Sequence, residues 1–106
     1  MSTLNRKAKL IKRFKNLLRS GEDLTVEYMC QKAATGLYYT TGTAMKIINE
    51  HYNSDVITDR MREFVANFEK CGRKKQIKMF SEEFLFCPRE SVLIMRYIRR
   101  NGNHIN

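Results

Sequence analysis

At 106 residues, with 42% hydrophobic and 10% aromatic side chains, the chain has the size of one domain and enough apolar material for one core. Two full domains and an intrinsically disordered class are excluded. Lys and Arg outnumber Asp and Glu by 20 to 11, a formal net charge of +9 that directs attention to anionic partners. The longest strictly apolar runs, Phe84 to Cys87 and Val92 to Met95, are too short to cross a bilayer. The opening residues carry no continuous apolar segment of the secretory kind, so a soluble cytoplasmic protein is expected.

Few residues break helices, with one Pro and five Gly, and they fall where helical periodicity stops. The first helix is predicted from about Leu4 to Arg19, with Leu4, Ile11, Phe14, Leu17 and Leu18 on one face and Gly21 as the stop. A second, about Thr25 to Ala34, has Asp23 or Thr25 as its N-cap and ends at Gly36; Val26, Met29, Cys30 and Ala33 form its apolar side. The aromatic and β-branched stretch Leu37 to Thr40 reads as an extended link. Thr41 or Thr43 then caps a third helix to about Tyr52, with Ala44, Ile47, Ile48 and Tyr52 turned inward.

The most regular apolar period, Ile57, Met61, Phe64, Val65, Phe68 and Cys71, predicts a helix from about Val56 to Cys71, capped by Ser54 or Asp55 and stopped by Gly72. A basic loop follows. A short helix over Ser81 to Phe86 must end before Pro88, which disfavours helical geometry in its predecessor and suits the first turn of a last helix to Arg100. Val92 to Met95 covers every side of that last helix, so it is expected at the centre of its surroundings. The expected fold is all-α, a compact bundle of five or six short helices in one domain over residues 1–100, with a tail over 101–106.

Three cysteines, Cys30, Cys71 and Cys87, form no CxxC pair and sit among apolar neighbours, where a thiol behaves as a small hydrophobe. Zn²⁺ asks for four ligands at closer spacing, so no metal and no other cofactor is expected. Nucleotide-loop, zinc-protease and nucleophile-elbow signatures are missing. His51 follows Glu50 near a helix end, a common place for a surface or cap residue, and His104 lies in the tail. The expectation is a non-enzyme without a small-molecule substrate.

The charge is unevenly spread. Residues 1–20 hold Arg6, Lys7, Lys9, Lys12, Arg13, Lys15 and Arg19 and no acid, residues 21–72 are net acidic, and residues 73–80 hold Arg73, Lys74, Lys75 and Lys78, again with no acid. Arg96, Arg99 and Arg100 sit near a helix C-terminus, where the macrodipole stabilises cations, and need no functional explanation. The N-terminal turns of the first helix are the opposite case. There the dipole disfavours cations, and Arg6, Lys7 and Lys9 have no acid three or four residues on to relieve them. A helix that is locally destabilised in this way suggests an external polyanion. Nucleic acid, DNA before RNA, is therefore the expected partner, through phosphate contacts from Arg6, Lys7, Lys9, Lys12, Arg13, Lys15, Arg73, Lys74, Lys75 and Lys78. The same helix is basic and amphipathic, as in membrane-surface helices, but Phe14 is the one aromatic on its apolar face, and packing within the domain explains that face better.

Leu24 to Tyr52, helix then link then helix, is similar in outline to a helix-turn-helix, which implies that its second helix reads a DNA groove, with Asn49 available to adenine. The segment Leu37-Tyr38-Tyr39-Thr40-Thr41-Gly42-Thr43-Ala44 resembles a short pattern of small helical proteins of Bacteroides-type bacteria and their phages or mobile elements. That resemblance brings no activity. Of Tyr38 and Tyr39, one core ring and one surface ring are expected, with a base-stacking pair as the alternative. The competing functional class is a protein–protein adaptor or a structural component of a phage or mobile-element assembly, which the six methionines would suit. A homo-oligomer belongs to the same class.

Overall fold

The computed structural model describes residues 3–101, with side chains from residue 5 onward; Leu4's side chain, His104 and the tail beyond Asn101 lie outside the described residues. The fold is all-α: six α-helices and one five-residue turn of π-helix, with no strand among the described residues. The chain packs as two compact units, one reaching His51 and one beginning at Tyr52.

The first unit holds α1 (Thr3–Arg19), α2 (Val26–Ala33) and α3 (Thr41–His51), and each helix touches the other two. α1 buries Leu10, Phe14 and Leu18, one residue per turn, while Ile11 and Leu17 sit half-buried at the edges of the stripe. Leu10 therefore takes the central place that the apolar period had assigned to its neighbour Ile11. Gly21, at φ +83°, adopts the left-handed conformation past the end of α1 that glycine accepts without a Cβ clash. Of the two candidate N-caps of α2, Thr25 does the work: its Oγ1 accepts from the Tyr28 N–H at 3.1 Å. Met29, Cys30 and Ala33 are buried as expected. Burial pushes the Cys30 thiol up to about 11, which makes it a packing group.

Two expectations fail between α2 and α3. Residues 34–38 form turns, with the Leu37 N–H bonded to the Ala34 carbonyl, and Tyr38 stands at φ +61° where an extended link was expected. Thr40, ahead of both expected caps, supplies the cap of α3: its Oγ1 accepts from the Thr43 N–H at 3.1 Å.

The second unit begins with the π-turn (Tyr52–Val56) and continues through α4 (Asp59–Asn67), α5 (Arg73–Phe84) and α6 (Pro88–Arg100). The Ile57 N–H reaches back five residues to the Tyr52 carbonyl at 2.8 Å, the bond that defines a π-turn. Helix α4 starts only after it, with Thr58 as N-cap accepting from the Met61 N–H, and gives way at Phe68. The expected helix from Val56 to Cys71 is thus shortened at both ends, and neither Ser54 nor Asp55 caps it. The larger correction concerns the basic segment. Residues 73–80 are the first turns of α5, not a loop, and Ser81 to Phe84 complete that helix. Leu85, at φ +60°, closes it, and Pro88 opens α6 as its first residue.

Within this unit α6 meets the π-turn, α4 and α5. It buries Leu93, Ile94, Met95, Tyr97 and Ile98 on one wide face, while Arg96, Arg99 and Arg100 are exposed and Val92 is half-buried, so the helix is not covered all round as the Val92 to Met95 run implied. Three buried polar side chains are held by hydrogen bonds. Tyr52 Oη donates to Glu90 Oε2 at 2.7 Å, while its ring stacks on Tyr97 at 5.6 Å between centroids. Ser81 Oγ donates to the Ile77 carbonyl, which leaves Ser91 as the donor in the 2.8 Å pair with Ser81. Gln76, 2% exposed, donates to the Phe68 carbonyl at 2.8 Å and accepts from Arg99 at 2.6 Å.

Phe80 is fully buried and its ring meets those of Phe64, Phe84 and Phe86; Phe68 joins through Phe64. Phe64 and Phe68, which the apolar period places at the core, are only half-buried. Truncating Phe80 to Ala should therefore cost about 3 to 5 kcal/mol, and Phe68 to Ala distinctly less. Urea melts of the two variants check the order, and equal losses would contradict it.

Candidate nucleic-acid interface

Seven cations on α1 cannot all face outward while the helix buries a stripe, and the structure divides them. Arg6 and Arg13, one heptad apart, flank the buried stripe and bond to backbone. Arg6 Nη1 donates to the Leu37 carbonyl at 3.2 Å, and its guanidinium lies over the Tyr39 ring at 4.8 Å. Arg13 Nη1 donates to the Ala33 carbonyl at 3.3 Å and the Thr35 carbonyl at 2.8 Å. The Ala33 carbonyl is one that the end of α2 leaves without a helical partner, at the negative pole of its dipole, and Thr35 belongs to the turn that follows. The two arginines expected to serve an external anion thus have a use inside the fold.

Lys9 and Lys12 are exposed and lie three residues apart, so they neighbour each other on the helix surface. With Asn5 and Ala8 they line a shallow groove of about 300 Å³. Lys7 is exposed, but at 100° of rotation per residue it is turned well away from Lys9 and Lys12, whereas Lys15, three residues after Lys12, is half-buried and engaged within the chain. A second groove of about 300 Å³ runs between α1 and α2, lined by Arg13, Asn16, Leu17, Lys32 and Ala33. It brings Lys32 of α2, which the charge count left aside, next to the basic face of α1.

In the second unit Arg73, Lys74, Lys75 and Lys78 are all exposed on the first two turns of α5. The first turn carries no acid, and Gly72 caps it without a side-chain hydrogen bond, so its N–H groups stay open beside three cations. Gln76 and Phe80, four residues apart and buried, hold this side of α5 inward and keep the cations outward. Arg73 and Arg99 meet at a cleft of about 420 Å³ that Glu69, Cys71 and Gln76 complete. Arg99 had been explained by the dipole of α6 alone. Its bond to Gln76 carries it to the start of α5, a placement that only tertiary structure supplies. Among the described residues, no three His, Cys, Asp or Glu side chains gather as a metal site. No described helix is long and apolar enough to cross a membrane.

Side chains that anchor and side chains that merely project should behave differently on substitution. Arg13→Ala removes two charge-assisted bonds to carbonyls near the end of α2 and should lower stability by about 1 kcal/mol after allowance for its solvent exposure. Lys12→Gln should leave stability within about 0.5 kcal/mol of the parent. Thermal melts at low ionic strength distinguish the two, and a Lys12 loss as large as that of Arg13 would refute the division.

The chain matches no protein-family model, no curated protein and no solved structure.

Proposed function

We propose that the protein binds nucleic acid, DNA in the first instance, without catalysing a reaction, and that it does so mainly through phosphate contacts from Lys9 and Lys12 of α1 and from Arg73, Lys74, Lys75 and Lys78 of α5. The observation that carries this reading is that α5 opens with exposed cations and no acid in its first turn, and that α1 exposes Lys9 and Lys12 on a helix that contains no acid at all. Among the described residues, no acidic side chain pairs with Lys9, Lys12, Lys74, Lys75 or Lys78. The pairs that do form on the surface, Arg60 with Glu83 and Arg62 with Asp59, occupy the mixed-charge part of the chain. Cations at a positive helix end, left without acids, are most stable when phosphates approach them. Lys7 stands outside the contact set because the helix turns it away from Lys9 and Lys12, and Lys15 because it is half-buried and engaged within the chain.

The adaptor reading has one observation of its own. Leu85 is 88% exposed in a left-handed conformation, an apolar side chain presented to solvent at the end of α5. A partner protein would cover it. The charge distribution favours nucleic acid as the first reading, because it involves two helices and several residues where Leu85 is a single side chain.

Phosphate contacts release counterions, so binding to duplex DNA should weaken steeply between about 50 and 200 mM salt, with a log-log slope of about −0.9 per phosphate contacted. Replacing Lys9 and Lys12 together by Gln should flatten that slope by up to about two units while stability holds; the pair Lys74 and Lys75 should act alike, and Glu63→Gln should change nothing. Fluorescence anisotropy of a labelled duplex across the salt series is the measurement. Absence of binding at about 50 mM salt, or a slope indifferent to all four lysines, would overturn the proposal in favour of the adaptor.

A further inference from the structure

The turn between α2 and α3 combines three features that its composition does not require. Tyr38 holds φ +61°, a region that bulky L-residues avoid. Its ring is 92% exposed, so no packing within the chain compensates for that conformation. Next to it the Tyr39 hydroxyl is buried without a hydrogen-bond partner among the described residues. Two consecutive residues thus carry local costs in one short turn. Such costs persist where the surroundings hold them, and they gather at binding sites.

The surroundings here are the basic helix itself. Arg6 bonds the carbonyl of Leu37, the residue before Tyr38, and covers the ring of Tyr39, the residue after it. Arg13 bonds the Thr35 carbonyl earlier in the same turn. Tyr38 is therefore fixed on both sides to α1, on the edge from which Lys9 follows Arg6 by three residues and Lys12 follows Lys9 by three more. An exposed aromatic ring on a backbone pinned to a basic helix is an arrangement suited to binding an unpaired base by stacking while the cations follow the phosphates. Duplex DNA offers no such base, because its faces are already stacked.

We propose that Tyr38 is a stacking platform for an unpaired base, so that the preferred ligand is single-stranded nucleic acid whose backbone runs along Lys9 and Lys12. The proposal rests on the nucleic-acid reading above and narrows it.

The test uses two variants of the full chain. Tyr38→Gly removes the ring and suits φ +61°, so the fold is kept and its melting temperature should hold or rise. Its affinity for oligothymidylate or oligouridylate should fall about tenfold, the order of one stacked base, and its affinity for a duplex of equal length should stay within about twofold. Tyr38→Trp gives the chain, which has no Trp, a single indole at that place. Its emission should be quenched on binding either single strand and unchanged by the duplex. If the duplex binds but Tyr38→Gly leaves single-strand affinity intact, or the indole emission ignores a bound single strand, the stacking platform is refuted and backbone binding survives. If no nucleic acid binds the parent chain, both proposals fall. The DNA and RNA arms distinguish the two sources of the base.

Discussion

Two guanidiniums tie the end of α2 and the turn after it to α1, and what the first unit presents to solvent depends on them. Arg6 and Arg13 reach from α1 to the Leu37, Ala33 and Thr35 carbonyls. The Ala33 carbonyl lies where a helix end would otherwise leave an acceptor to water, and a positive charge there is favoured by the helix dipole as well; the other two belong to the turn that follows. The contact fixes the turn to the basic helix. It also sorts the cations of α1 into those bound to backbone and those, Lys9 and Lys12 among them, that face outward.

The second unit reaches a similar division by a different device. Gln76 is buried and bonds in two directions, to the carbonyl at the end of α4 and to Arg99 of α6. Phe80, one turn later, is fully buried against the rings around it. These two residues hold one side of α5 inward, so a helix with an uncapped, strongly basic first turn is stable there although its local sequence argues against it. Tertiary packing outweighs an unfavourable helix start, since most helical stability in proteins comes from burying a face.

The parts legible in the sequence are those with a local cause. Thr25 and Pro88 mark the starts of α2 and α6, Gly21 marks the end of α1, and the apolar run Val92 to Met95 announces a helix with a wide buried face. What escaped depends on contacts far along the chain. Residues 73–80 look like a loop because no side chain caps them and like charges crowd them; Gln76 and Phe80 reverse that through partners on other helices. The π-turn at Tyr52 follows no apolar period, and it accompanies the bond of the Tyr52 hydroxyl to Glu90, 38 residues on. Tyr38 reads as strand-like by composition and stands in a left-handed turn that Arg6 pins from 31 residues away at Leu37. For the candidate site, the cations were identifiable by type. Which of them are anchors, and that Arg99 joins Arg73, was not.

The central claim is that two sets of outward cations, on α1 and on α5, meet phosphate. A titration of the ¹⁵N-labelled protein with a short oligonucleotide, followed residue by residue in amide spectra at low salt, tests it most directly. The account predicts shifts concentrated at residues 6–13 and 73–78, with residues 35–39 moving when the strand is unpaired, and the changes reversing as salt is added. Spectra that stay unchanged, or shifts centred on Leu85 and the adjoining end of α5, would contradict it.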